Sequence, residues 1–216
     1  MREWVGGRNA KGFRENGVTI ENKPYEATLE VLLDEMRRDK TGQVMIRVNE
    51  MADRANAHWA KLLSTLIVNG ASTVCYDGQY FFDTDHSEGD SGTQSNDLTP
   101  AATTAASPTS AEYETAILAA ISAILAFKDA QGEPLNEGAS EFIVMVPPTH
   151  FASAMAAVKN PLNSSGGTNT VNNLNDYQIS VVVNPRLSSW TTQFCVFRAD
   201  GNVKPFMLQE EVELEV

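Results

Sequence analysis

Apolar and polar positions divide the chain into stretches of different period. Residues 49–69 carry Met51, Ala55, Trp59, Leu62, Leu63 and Leu66 at helical spacing, so these side chains share one face. The spacing predicts a helix that Asn49 can cap and that Gly70 follows, where a left-handed residue is wanted. A second helix is predicted behind Thr109, because Glu112 three residues later completes a capping box. Tyr113, Ile117, Ile121, Ile124 and Leu125 form its apolar face, and it stops near Gly132 and Pro134. Phe142–Val146 is a continuous apolar run, the pattern of a buried central strand. Pro147 and Pro148 end it, and a short helix with Phe151, Met155 and Val158 on one face follows. Ile179–Val183 and Phe194–Phe197 read as two further buried strands. Val212, Leu214 and Val216 alternate with Glu211, Glu213 and Glu215, which predicts a strand with one wet face.

The stretches between these elements are polar or mixed. The first twenty residues combine charges, glycines and one tryptophan, and read as an arm with little core of its own. Tyr25–Leu33 looks extended, Asp34–Gly42 is highly charged, and Gln43–Val48 is a β-like run. A charged tip between two apolar arms suggests a long projecting hairpin or loop. A solvated helix–turn at Leu32 to Asp39 fits the same residues equally well. Cys75–Phe82 reads as a short hairpin turning at Asp77-Gly78. Residues 84–110 and 160–176 are long polar loops. The fold class is α+β: long helices on a mixed sheet, with extensions leaving the body.

Composition narrows the function. The 216 residues are 42% hydrophobic, enough for a sizeable core. The formal net charge of −12 argues against gripping a phosphate backbone, although it is compatible with enclosing nucleic acid. The two cysteines, Cys75 and Cys195, form no Cys-x-x-Cys pair and read as buried, reduced thiols. Met1–Gly7 lacks the apolar run of a signal peptide, and the longest apolar stretch, near Ala116–Phe127, is too short to cross a bilayer. A soluble, unexported protein is expected.

The most site-like string is Phe81-Phe82-Asp83-Thr84-Asp85-His86. Two carboxylates and an imidazole can bind a metal or open a hydrolytic site. In an extended segment, however, His86 points away from Asp83 and Asp85. A calcium loop starting at Asp83 fails as well, because its sixth and twelfth positions are Glu88 and Gln94. The string reads as a structural turn; no metal, cofactor or catalytic residue is assigned. His58 and His150 read as packing or capping residues. Neither Gly-x-Ser-x-Gly nor a phosphate-cradling glycine motif occurs. Arg37-Arg38-Asp39-Lys40 is a basic cluster in an acidic chain, either a solvated tip or a charged finger reaching a neighbouring acidic subunit.

Met1–Gly6, Glu21–Glu26 and above all Cys75–His86 resemble the Mu-like phage major head subunit family (gpT). The order of elements resembles the Hong Kong 97-type capsid fold. That resemblance implies an N-arm remnant at 1–20, an extended loop with its return strand at 21–48, and a spine helix of the peripheral domain at 49–76. It implies an axial domain at 77–205 and a strand returning to the peripheral domain at 206–216, in a chain truncated at both ends. It further implies a non-enzymatic shell subunit of the virion, made in the bacterial cytoplasm. Its partners would be its own copies in pentamers and hexamers, scaffold/protease and portal proteins, with no membrane. It would enclose double-stranded DNA without specific binding. Leu29, Val31, Leu33, Arg37, Arg38, Lys40 and Met45 are the expected interface residues. The lysine–asparagine crosslink of some capsids of this fold is not expected at Lys40. A nanocompartment shell of the same fold, and less so a metal-dependent hydrolase built on Asp83, Asp85 and His86, are the alternatives.

Overall fold

The apolar run around Val144 forms the middle of a three-stranded sheet. The structure is a computed structural model describing residues 21–39, 41–162, 166–174, 176–202 and 204–211. Among these residues the helices are α1 (Leu33–Arg38), α2 (Gln43–Asn56), α3 (His58–Val68), α4 (Ser110–Ala126) and α5 (Phe151–Lys159). The strands are β1 (Glu141–Val146), β2 (Gln178–Val183) and β3 (Cys195–Arg198), in the order β2-β1-β3. Val144 lies opposite Val181 on parallel β2 and opposite Val196 on antiparallel β3. A parallel pair needs a crossover. Here Pro148–His150 forms a single 3-10 turn that leads into α5, and α5 returns the chain to β2.

Side-chain alternation along β1 sends its two faces into two cores. Phe142, Val144 and Val146 join Tyr113, Ile117 and Ile121 of α4 and Ala154, Ala157 and Val158 of α5. Met145 points the other way, against a second cluster of Ile67, Leu187, Trp190 and Cys195. The strands expected at 142–146, 179–183 and 194–197 and the α4 helix therefore stand, although β2 and β3 are only partly buried and not the buried strands expected. Phe151 is the exception on α5: it is exposed, and Ala154, Ala157 and Val158 carry the buried face.

The capping box at α4 is present in both directions. The Glu112 N–H donates to the Thr109 hydroxyl, and the Thr109 N–H donates to the Glu112 carboxylate at 2.8 Å. The N–H groups of Thr103 and Thr109 hold the Glu112 carboxyl down at about 2, from an ordinary 4.5. A lowered carboxyl contributes stability that is present above its unfolded value and disappears as pH falls through the folded one. Acid titration from pH 5 to 2 should therefore cost the parent protein helicity that a Glu112→Ala variant has already lost at pH 5, read by circular dichroism. Thr109→Ala should cost about 1 kcal/mol in urea denaturation.

The N-terminal half departs from the sequence reading. Gln43–Val48 is not a strand but the first turns of α2. Among the described residues α1 realises the helix–turn alternative at Leu32 to Asp39. Asn49 does not cap a helix, since it lies inside α2. That role falls to Asp39, whose carboxylate accepts from the N–H groups of Thr41, Gln43 and Val44 across the left-handed Gly42 (φ 72°). The single helix expected over 49–69 is instead α2 and α3, meeting at Ala57. Gly70 is needed for space and not for a left-handed φ: a Cβ there would lie 2.6 Å from the Phe82 ring. α4 ends at Ala126, before Gly132. The arm at 1–20, Lys40 and the alternating strand at 212–216 lie outside the described residues.

Candidate functional site

The Asp-rich turn assembles as a fastening. Asp77-Gly78 turns the chain with Gly78 at φ 87°, and the Cys75 N–H donates to the Gln79 carbonyl at 2.7 Å. His86 does not pair with the neighbouring carboxylates of its own string. Its Nδ1–H donates to Asp77 Oδ2 at 2.6 Å, tying residues 77 and 86 together. Partial burial pushes the Asp77 carboxyl up, but the His86 hydrogen bond and the Gln79 N–H outweigh this and leave it lowered. Asp83 accepts from the N–H groups of Thr84 and Tyr80, and these contacts lower its carboxyl. Asn96 closes the loop from outside, accepting from the Asp83 N–H at 2.8 Å and donating to the Phe81 carbonyl at 2.7 Å. Among the described residues no group of three His, Cys, Asp or Glu side chains is placed to hold a metal ion.

The remaining histidines and cysteines are also spent on structure. His58 meets the Tyr25 ring edge-on at 4.3 Å, which holds the base of the N-terminal segment against α3. His150 is buried between α4 and the 188–194 loop, bonded to the Tyr113 hydroxyl and the Thr191 carbonyl. Both thiols are free. Burial pushes the Cys195 thiol up to about 12. Half-buried Cys75 is raised less far, by burial and then by the Asp77 charge. A thiol reagent should therefore modify one cysteine, Cys75, in the native protein at pH 8 and both in urea. Equal rates for the two would contradict this burial.

What the body leaves uncovered is a surface. Neither α1 nor α2 has a buried residue. Of the positions expected at an interface, Leu33 is 70% exposed and Met45 63%, whereas Leu29 and Val31 are half-buried. Arg37 and Arg38 stand exposed in the last turn of α1. Sequence reasoning missed Leu32 and Met36, 61% and 58% exposed. The signal was available: Leu32, Leu33 and Met36 fall on one helical face once 33–38 is read as helix. Exposed Trp59, Leu63 and Leu66 extend the apolar surface along α3. Contiguous exposed apolar patches are uncommon on monomeric soluble proteins.

A second apolar feature lies on the body. A half-open groove of about 850 Å³ runs between the end of α3, the 81–100 loop, α4 and β3. Val68, Phe82, Ala120, Ile124, Trp190 and Phe197 line it, together with the charged Asp97, Glu137, Arg198 and Lys204. Arg198 is pinned there by Asp200 at 2.6 Å and by Asn136 at 2.9 Å. The Arg198 hydrogen bond in turn holds the Asp200 carboxyl far below its ordinary value, helped by the Ser140 N–H. The Lys204 ammonium donates to the Ala199 carbonyl and makes no ion pair among the described residues.

Comparison with known proteins adds a direct finding. Residues 1–109 match the family model described as Mu-like prophage major head subunit gpT. Over 89 residues the chain is 33% identical to the Mu-like prophage FluMu major head subunit of Haemophilus influenzae, covering 41% of this chain and 29% of that protein. Over 86 residues it is 34% identical to the major capsid protein of Escherichia phage Mu, covering 40% of this chain and 28% of that one. The chain thus spans under a third of the length of the curated relatives it matches. No solved structure matches it.

Proposed function

The chain belongs to the Mu-like prophage major head subunit gpT family, and from that premise we propose that it builds the head shell of a Mu-like tailed phage or prophage. The observation that carries this is the bare apolar surface of α1, α2 and α3, which a lone subunit has no use for. In the shell it is covered by neighbouring copies, so the subunit works through shared interfaces and not through a reactive pocket.

The order of elements supports a Hong Kong 97-type subunit. α3 with the end of α2 corresponds to the spine helix, and α4, β1, α5, β2 and β3 to the axial domain. The segment 21–48 corresponds to the extended loop, with α1 and the first turns of α2 in place of its return strand. Copies then group as pentamers and hexamers, with scaffold/protease and portal proteins as further partners, and the shell encloses double-stranded DNA in the virion. The net charge of −12 suits this: an acidic wall repels the packaged phosphates instead of binding them. Among the described residues no helix is long and apolar enough to cross a membrane.

The test is assembly of the protein produced from its complete gene. Negative-stain microscopy should show rings or closed particles, and deleting the gene should remove heads from the lysate. A strictly monomeric full-length protein, with heads still formed after deletion, would overturn the proposal.

A further inference from the structure

Met207 and Leu208 are 76% and 62% exposed, and the apolar groove begins two residues before them, with Pro205 as part of its wall. We infer that residues 206–211 are a strap with two seats. It is tied to Asn22 in the structure; once that tie is released it swings on Phe206 and lays Met207 and Leu208 in the groove between α3, α4 and β3. This goes beyond the shell reading and does not depend on it.

The strap is fastened at two points of different kinds. At its start, half-buried Phe206 packs against the Phe81 ring at 5.1 Å and the Phe197 ring at 5.6 Å. Both rings are walls of the groove, so the pivot stands at its rim. At the far end the fastening is polar and wet. The Gln209 amide donates to Asn22 Oδ1 at 2.8 Å, and Asn22 Nδ2 donates to the Glu211 carboxylate. All three side chains are exposed. Hydrogen bonds between exposed groups replace bonds to water and add little net stability, so the far end is the one that lets go.

The groove suits what the strap carries. Ala120 and Ala123 leave room along α4, and Ile124 and Leu135 offer apolar contact. Burying apolar area is favourable in proportion to that area, and an unbranched methionine adapts to an irregular cleft. Consecutive Cα atoms are about 3.8 Å apart, which puts Leu208 no more than about 11 Å along the chain from Pro205. The swing therefore needs no movement of the body.

The tie opposes closure, and it also fixes the base of the N-terminal segment. Asn22 lies three residues before Tyr25, whose ring meets His58 on α3. Tied, the strap holds this base and leaves the groove open. Closed, it fills the groove and frees Asn22. The two seats exclude each other, so whatever favours one state disfavours the other.

The experiment uses the whole chain at a dilute concentration. Asn22→Ala cuts the tie and should raise the yield of crosslinks from a photo-reactive residue at position 208 to the Ala120–Ile124 stretch of the same chain about fivefold. It should slow alkylation of an Ala123→Cys thiol about threefold, read by peptide mass so that Cys75 does not interfere. Adding Leu208→Asp to Asn22→Ala should restore the alkylation rate, because a carboxylate does not enter an apolar cleft. Gln209→Ala cuts the tie from the strap side and should repeat both effects. Circular dichroism checks that each variant is folded; if Ala123→Cys is not, the crosslinks decide. Crosslinks and alkylation that stay at parent levels in both tie variants overturn the inference. So do crosslinks that join two chains, or a slowed rate that Leu208→Asp leaves slowed. None of these results bears on assembly from the complete gene, which tests the shell reading separately.

Discussion

His150→Ala is expected to destabilise the protein by about 3–5 kcal/mol. The side chain is only 2% exposed and stands at the junction of α4, α5 and the 188–194 loop. Its partners fix the tautomer. Burial pushes the Tyr113 phenol up, so it stays protonated and donates to Nδ1 at 2.7 Å, while Nε2–H donates to the Thr191 carbonyl at 3.1 Å. Alanine removes both bonds at once, opens a cavity beside Tyr113, and strands the buried Tyr113 hydroxyl. Tyr113→Phe removes only one bond and should cost about 1–3 kcal/mol, mostly from the imidazole nitrogen left unpaired. The two losses should not add in the double variant, because each removes the same pair. Urea denaturation measures all three; a His150→Ala loss below about 1 kcal/mol would show that the junction is held by packing alone. Against a total stability of about 5–15 kcal/mol for a domain, the expected loss is enough to unfold part of the population at 37 °C.

The second large effect is steric. Gly89→Ala should cost about 2–4 kcal/mol, from a left-handed backbone and a direct clash. Gly89 sits at φ 58°, and a Cβ there would lie 2.4 Å from the Ala130 carbonyl oxygen. That oxygen already accepts the Asp90 N–H at 3.0 Å, so it cannot retreat without breaking the contact between the 84–110 loop and the turn after α4. Gly78→Ala is the control. Its φ is 87° but the space beyond it is open, so only the backbone term of about 1–2 kcal/mol applies. Equal losses at the two positions would mean that the Ala130 clash relaxes freely.

Legibility in the sequence followed how local the cause of each element is. The Thr109–Glu112 box and the buried strand at 142–146 could be read because their signals lie within a few residues. Gln43–Val48 was misread because Val44, Ile46 and Val48 alternate like a strand while Val44, Val48, Met51 and Ala55 also keep helical spacing. A short run cannot separate the two periods, and what decides it is the Asp39 carboxylate reaching the first N–H groups of α2. The metal-like string misled in a different way. His86 lies next to Asp85 in sequence, yet its partner is Asp77, nine residues back, and only the turn at Gly78 brings them together. The groove was illegible for the same reason: its walls come from α3, the 81–100 loop, α4 and β3, which no local pattern connects. The exposed positions at Leu33 and Met45 were visible because apolar residues in a charged segment have nothing of their own to cover.

The crossover through α5 also sets an order in time. β1, α5 and β2 are consecutive, so the pairing that builds the main core closes over a short stretch of chain and is cheap in loop entropy. On the ribosome this unit can condense as soon as residue 183 has emerged, and β3 then adds to the open edge of β1. Residues 33–48 are synthesised before this unit, and among the described residues neither α1 nor α2 has a buried residue. They wait through synthesis as the sticky part of the nascent protein, exposed to chaperones and to premature encounters. A cell making many copies at once therefore controls the outcome by when the bodies finish folding and not by when the arms appear.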